Sequence, residues 1–222
     1  ADKKLIKKYN KSRLVSGFTT NPSLMRKAGA KNYSRYSKEL LRLTSKPISF
    51  EVFGDDEKSM IQQGEIIKSW GSNVYVKVPI CNSKGKLMSN VIKKLNNKNI
   101  KLNITAVYSY KQTVEILKNI NKKTKNIISI FAGRMGDAGI DPIPEFEKSI
   151  KISKKFNNVK ILWASTREPY NLIQAKQIGC DIITVPPNII EKIEKFGKSK
   201  NKLTIDTVKT FLKDAKASKF QI

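Results

Sequence analysis

Seven short apolar runs, each followed by a longer amphipathic stretch, constrain this chain more than any other feature. The runs fall at residues 14–18, 48–53, 73–79, 101–107, 127–131, 159–164 and 181–185. Helical spacing of apolar side chains marks stretches such as 57–70, 83–95, 110–120, 145–156 and 169–178, and the period returns at 205–217. Strand–helix alternation of this kind builds parallel βαβ units. No Gly-rich dinucleotide fingerprint or phosphate-binding P-loop interrupts it. A closed barrel is therefore expected rather than an open nucleotide-binding sheet. No break in composition divides residues 1–222, so a single domain ending in a helix is expected.

Composition narrows the function classes. With 222 residues, 39% of them hydrophobic, the chain can build a substantial core. No apolar run approaches the ~18 residues of a membrane span. The opening Ala1-Asp2-Lys3-Lys4 lacks a secretory apolar stretch, and Cys81 and Cys180 make no disulfide framework. Histidine is absent, which excludes His-based triads and His-ligated metals. The expectation is a cytoplasmic protein with no metal, no cofactor and no membrane partner. A net charge of +26 suggests nucleic acid. The lysines, however, are spread over nearly every helical stretch, with no aromatic stacking motif beside them. No specific nucleic-acid partner is expected. A positive field that speeds the arrival of anionic substrates fits better.

Lys77 breaks the pattern of its strand. Val74, Val76, Val78 and Ile80 point to one face, while Tyr75 and Lys77 point to the other. An ammonium within an apolar strand is costly to bury. Such a lysine either snorkels at a strand edge or is a desolvated nucleophile able to condense with a ketone. Other strands carry polar residues on one face too. Asn103 lies with Thr105, Glu51 with Ser49 and Phe53, Ser129 with Phe131, and Trp163 with Ser165. If the apolar faces meet the helices, these groups converge with Lys77 inside the barrel, where functional groups collect at the C-terminal strand ends.

The motifs resemble one family. Gly17-Phe18-Thr19-Thr20-Asn21-Pro22-Ser23 is similar to the Gly-x-Thr-Thr-Asn-Pro-Ser signature of transaldolases and fructose-6-phosphate aldolases. Val76-Lys77-Val78-Pro79 resembles that family's Schiff-base strand, and the segment from Leu102 to Ser109 its next strand. The segments from Ser129 to Asp137 and from Ala164 to Arg167 complete the order. The resemblance implies a parallel (β/α)8-type barrel acting on ketose and aldose phosphates. It implies Lys77 as the imine-forming residue, with Glu51 and Thr105 activating a water for proton transfer. Thr19, Asn21, Asn103, Ser129 and Phe131 would line the site of the three-carbon dihydroxyacetone unit. Arg134, Ser165 and Arg167 would bind the terminal phosphate through charge-assisted contacts. Local ion pairs, Arg134 with Asp137 and Arg167 with Glu168, are the competing readings of the two arginines. A homo-oligomer is also expected.

Glutamate at position 51 and phenylalanine at 131 resemble the transaldolase branch, since the aldolase branch carries glutamine and tyrosine there. The short length is closer to the compact aldolase type. Transfer of a dihydroxyacetone unit is the leading expectation. Aldol cleavage releasing free dihydroxyacetone is the nearest alternative, and a non-catalytic sugar-phosphate-binding barrel is another. One departure stands out. Family members begin with a strand ending in an Asp-Thr-Ala-Asp type motif, and Ala1-Asp2 matches only its tail. The first strand and its proton-transfer aspartate are therefore expected to be missing from this chain, leaving the strands of Phe18 and Thr184 as edges facing a gap.

Overall fold

Seven parallel strands in chain order form one curled sheet in the computed structural model, which describes residues 1–219. The elements are α1 (Lys3–Asn10), β1 (Phe18–Thr19), α2 (Pro22–Lys27), α3 (Tyr33–Leu41), β2 (Ile48–Glu51), α4 (Glu57–Lys68), β3 (Val74–Pro79), α5 (Ser89–Asn97), β4 (Leu102–Val107), α6 (Tyr110–Lys118), β5 (Asn126–Phe131), α7 (Ala132–Asp137), α8 (Ile143–Ser153), β6 (Val159–Ala164), α9 (Asn171–Gln177) and β7 (Ile182–Ile183). They lie in a compact unit spanning Ala1–Pro186. This is a (β/α)8-type barrel less one strand among the described residues. Val74, Val76, Val78 and Ile80 are fully buried, as their spacing predicts.

β1 and β7 end the sheet and do not pair with each other. The gap between them is bridged by side chains. The Thr19 and Thr184 hydroxyls are 2.7 Å apart, so the two edges touch at the C-terminal end of β1. Asp2 caps α1, accepting from the Leu5 N–H at 2.9 Å.

Three sequence expectations need correction. The strand expected at 14–18 forms only at Phe18–Thr19, because β2 begins opposite Phe18 and offers no partner before it. Residues preceding it form a loop, tied down by the Lys46 ammonium donating to the Ser12 and Val15 carbonyls at 2.8 and 2.6 Å. The helix expected from residue 83 begins at Ser89. Before it, Cys81 and Leu87 bridge across a turn that Gly85 closes at φ +78°, a conformation suited to glycine. Trp163 does not share an inner face with Ser165. It stacks on Phe146 of α8 with ring centroids 4.7 Å apart, in the helix layer. The β5–β6 register pairs Ser129 with Leu162, which leaves Trp163 on the opposite face.

The N-terminal strand ends are held by asparagines. Asn126, 1% exposed, accepts from the Asn96 amide at 2.8 Å and from the Leu102 N–H at 3.2 Å, and donates to the Thr124 carbonyl at 2.9 Å. Asn126→Ala would strand the Leu102 N–H in a dry site. Unfolding should show a loss of about 2–3 kcal/mol. For a chain this long each kcal/mol corresponds to about 2–4 °C in Tm. An unchanged Tm would mean that the network carries no net stability.

A second unit begins at Pro187 and holds α10 (Pro187–Ile193) and α11 (Lys200–Ser218). The helical period seen at 205–217 lies within α11. Ser199 caps it, accepting from the Lys202 N–H at 3.2 Å. Leu203, Ile205, Val208, Phe211 and Leu212 of α11 are exposed. No helix among the described residues is long and apolar enough to cross a membrane.

Candidate active site

The strand register places the polar residues together. Glu51 pairs with Lys77 across β2 and β3, Lys77 with Asn103 and Pro79 with Thr105 across β3 and β4. Paired residues of neighbouring parallel strands share a face, so Ser49, Glu51, Lys77, Asn103 and Thr105 all point away from the buried valines. Lys77 is 8% exposed, and its ammonium lies 3.1 Å from Glu51 Oε2 and 3.5 Å from the Thr20 carbonyl. The charge is thus neither free nor snorkelling.

A second group spans the interior. Asn103 donates its amide to Ser49 Oγ at 3.1 Å and accepts from Ser129 Oγ at 2.7 Å. This ties β2, β4 and β5 together through side chains. Thr105 is different. Its hydroxyl is buried and finds no protein partner. An orphaned buried hydroxyl costs about 1–3 kcal/mol, and this one is left to whatever enters the site. Just beyond it, Ala106 adopts φ +59° where the β4–β5 register shifts. Such a bulge re-aims the side chains beside it.

The remaining expected residues sit on the loops at the C-terminal strand ends. Thr19 is engaged with Thr184. Asn21 caps α2, its Oδ1 accepting from the Leu24 N–H at 2.7 Å, so that oxygen is already committed. Phe131 ends β5, 5.8 Å from the Tyr108 ring, and the Arg134 guanidinium lies 5.6 Å over its face. Ser165 follows β6 with φ +65°, and its carbonyl presses on α7. A Cβ at Gly133 would sit 1.7 Å from Ser165 O and 2.9 Å from Arg167 Cγ, so only glycine allows this approach. The geometry therefore brings the first turn of α7 against the Ser165–Arg167 loop.

The arginine pairing differs from both local readings. Arg167 grips Asp137 with two nitrogens, at 3.0 Å from Nε and 2.5 Å from Nη2. Neither Arg134–Asp137 nor Arg167–Glu168 is among the ion pairs of the described residues. Hydrogen bonding from Arg167 holds the Asp137 carboxyl below its usual range, and Asp137 raises Arg167 in return. Tyr33 was not singled out from the sequence. Its hydroxyl contacts both the N–H and the carbonyl of Glu51, and it lies 18 residues away on α3, where no local motif marks it.

Comparison with known proteins decides the ancestry. The sequence profile described as transaldolase/fructose-6-phosphate aldolase matches residues 1–222. The chain belongs to the transaldolase/fructose-6-phosphate aldolase family. It is 33% identical to a probable transaldolase of Nitrosopumilus maritimus, over 94% of this chain and 89% of that relative. It is 34% identical to another from a Sulfurihydrogenibium species, over 96% and 93%. Among solved structures, it resembles an inosine 5′-monophosphate dehydrogenase from Legionella pneumophila, with a TM-score of 0.53 at 12% identity over 79% of this chain and 58% of that one. A putative dihydrodipicolinate synthase family protein from Coccidioides immitis gives 0.56 at 11% identity over 80% and 57%. The chain spans little more than half of each of these structures, and the likeness is one of fold alone. Membership of the transaldolase/fructose-6-phosphate aldolase family and the names of the relatives point to a transaldolase-type enzyme.

Proposed function

We propose that the chain transfers a dihydroxyacetone unit from a ketose phosphate to an aldose phosphate through an imine on Lys77. The observation that carries this reading is the partly buried Lys77–Glu51 contact at 3.1 Å, beside the unpartnered Thr105 hydroxyl. Passing the lysine proton to Glu51 leaves a neutral amine, which attacks C2 of the ketose. Loss of water gives the iminium. A base then takes the C4 hydroxyl proton, the C3–C4 bond breaks, and its electrons move to the iminium nitrogen to form an enamine. The aldose fragment leaves, and the enamine carbon attacks the aldehyde of the acceptor. Hydrolysis frees Lys77. Glu51 and Thr105 handle the protons through water, Asn103 and Ser129 hold the hydroxyls of the three-carbon unit, and Thr19, Asn21 and Phe131 line its site.

Arg134, Ser165 and Arg167 bind the terminal phosphate in this reading. Asp137 then acts as a stand-in anion that the substrate phosphate displaces or shares. Arg167→Ala or Arg134→Ala should raise KM for fructose 6-phosphate by about ten- to a hundredfold, with little change for free dihydroxyacetone as donor. Equal losses on both substrates would contradict the assignment. Borohydride trapping with fructose 6-phosphate, followed by peptide mapping, tests the imine itself. Product analysis separates transfer to an added aldose phosphate from release of dihydroxyacetone. We extend the proposal to a cytoplasmic homo-oligomer, the exposed apolar residues of α11 being the feature that supports self-association.

A further inference from the structure

We propose that Tyr33 is the positioning residue of the Glu51–Lys77 pair, its hydroxyl replacing the strand that β2 lacks beside Glu51. The inference rests on the imine reading of Lys77 for its consequence in catalysis, but its geometry stands apart from that reading.

Backbone groups of alternate residues in a strand point to the same neighbour. On β2, Ser49 faces β1. It pairs with Thr19, and its carbonyl accepts from the Thr20 N–H at 3.1 Å and from the Thr20 hydroxyl at 2.7 Å. Val52 faces the other way and donates its N–H to the Lys77 carbonyl at 3.1 Å. Glu51, two residues after Ser49, therefore turns its N–H and carbonyl toward β1. But β1 is only two residues long, and at Asn21 the chain departs into α2. Glu51 would face an empty place in the ladder, with two strong hydrogen-bonding groups unpaired.

Tyr33 fills that place with a single oxygen. It accepts from the Glu51 N–H at 2.9 Å and donates to the Glu51 carbonyl at 3.2 Å. Its ring is held edge-on by Phe50 and Phe53, with centroids 6.4 and 4.5 Å away, and Trp70 lies at 5.9 Å. The hydroxyl must stay protonated to serve both roles. Burial pushes the Tyr33 phenol up to about 12, so it remains neutral throughout the ordinary working range. Clamping both ends of one residue fixes its backbone dihedrals and hence the direction of its Cα–Cβ bond. That direction is what sets the carboxylate 3.1 Å from Lys77.

Tyr33→Phe keeps the ring and removes the clamp. Lysine methylation by formaldehyde and dimethylamine-borane, mapped by peptide mass spectrometry, reads the consequence without any sugar. Lys77, shielded by Glu51 in the unmodified chain, should be labelled several-fold faster in Tyr33→Phe, with surface lysines as the internal standard. With fructose 6-phosphate and an aldose phosphate, kcat should fall by about ten- to a hundredfold, as for a catalytic group misplaced by an ångström or less, while KM holds. In a Glu51→Gln background the same substitution should add nothing, because Tyr33 acts through Glu51. Trp70→Phe, which keeps the hydroxyl, should lower Tm while leaving Lys77 labelling and kcat as they were. Unchanged Lys77 labelling in Tyr33→Phe, or equal loss of kcat in both backgrounds, would overturn the clamp and leave Tyr33 a packing residue. Absence of any ketose adduct on the unmodified chain would instead overturn the imine reading, and the labelling result would still decide the clamp.

Discussion

Lys77→Met is expected to remove the borohydride-trapped ketose adduct from the β3 peptide while the barrel stays folded. Methionine has a similar reach, is flexible and brings no charge, so the 8% exposed site can accept it. The substitution does leave Glu51 without its ammonium. Removing one partner of a fully buried pair costs about 3–5 kcal/mol. Here the loss should be smaller, because the Glu51 side chain keeps 21% exposure and can recover some hydration. The readout must be peptide mapping rather than total incorporation. With 38 lysines in the chain, surface amines will also form a background of weak imines. An adduct persisting at the native level on a different lysine would move the nucleophile there. An adduct absent from both proteins would favour a barrel that binds sugar phosphates without reacting with them.

The strand–helix alternation and the polar inner face were legible because both are local. Alternation of side chains along 73–79 and 101–107 predicts Lys77, Asn103 and Thr105 on one face, and the register places them there. What was not legible depends on where alternation stops. β6 ends at Ala164 and Ser165 turns to φ +65°, so a period of two carried through to Ser165 misassigned Trp163. β1 was displaced for a related reason. Its apolar run starts at Leu14, but a strand exists only where a neighbour offers hydrogen bonds, and β2 starts opposite Phe18. The Arg167–Asp137 pair and the Tyr33 clamp join residues 30 and 18 positions apart. Nothing in the spacing of either pair announces the contact. Both are products of tertiary packing, and both alter the reading of the candidate site: one arginine already holds an anion, and the carboxylate beside Lys77 is held in turn by a phenol.

Glu51→Gln is expected to separate imine formation from turnover. The amide nearly matches the carboxylate in shape and can still accept from the Lys77 ammonium and keep its backbone clamp on Tyr33. What it loses is the ability to take and return a proton. A positioned acid–base group typically contributes about 100- to 10,000-fold, and steady-state transfer should fall by that order. Trapping at Lys77 should persist, if more slowly, because the nucleophile is intact. Thr105→Val supplies the second half of the argument. Its hydroxyl has no protein partner, so valine strands no neighbouring group, and any loss of rate reflects a contact made only when the site is filled. If Glu51 and Thr105 manage protons through one shared water, the double variant should be little worse than Glu51→Gln alone. Additive losses would assign the two residues to separate steps. Full turnover by Glu51→Gln would show that the base lies elsewhere and that Glu51 serves Lys77 only as a counter-ion.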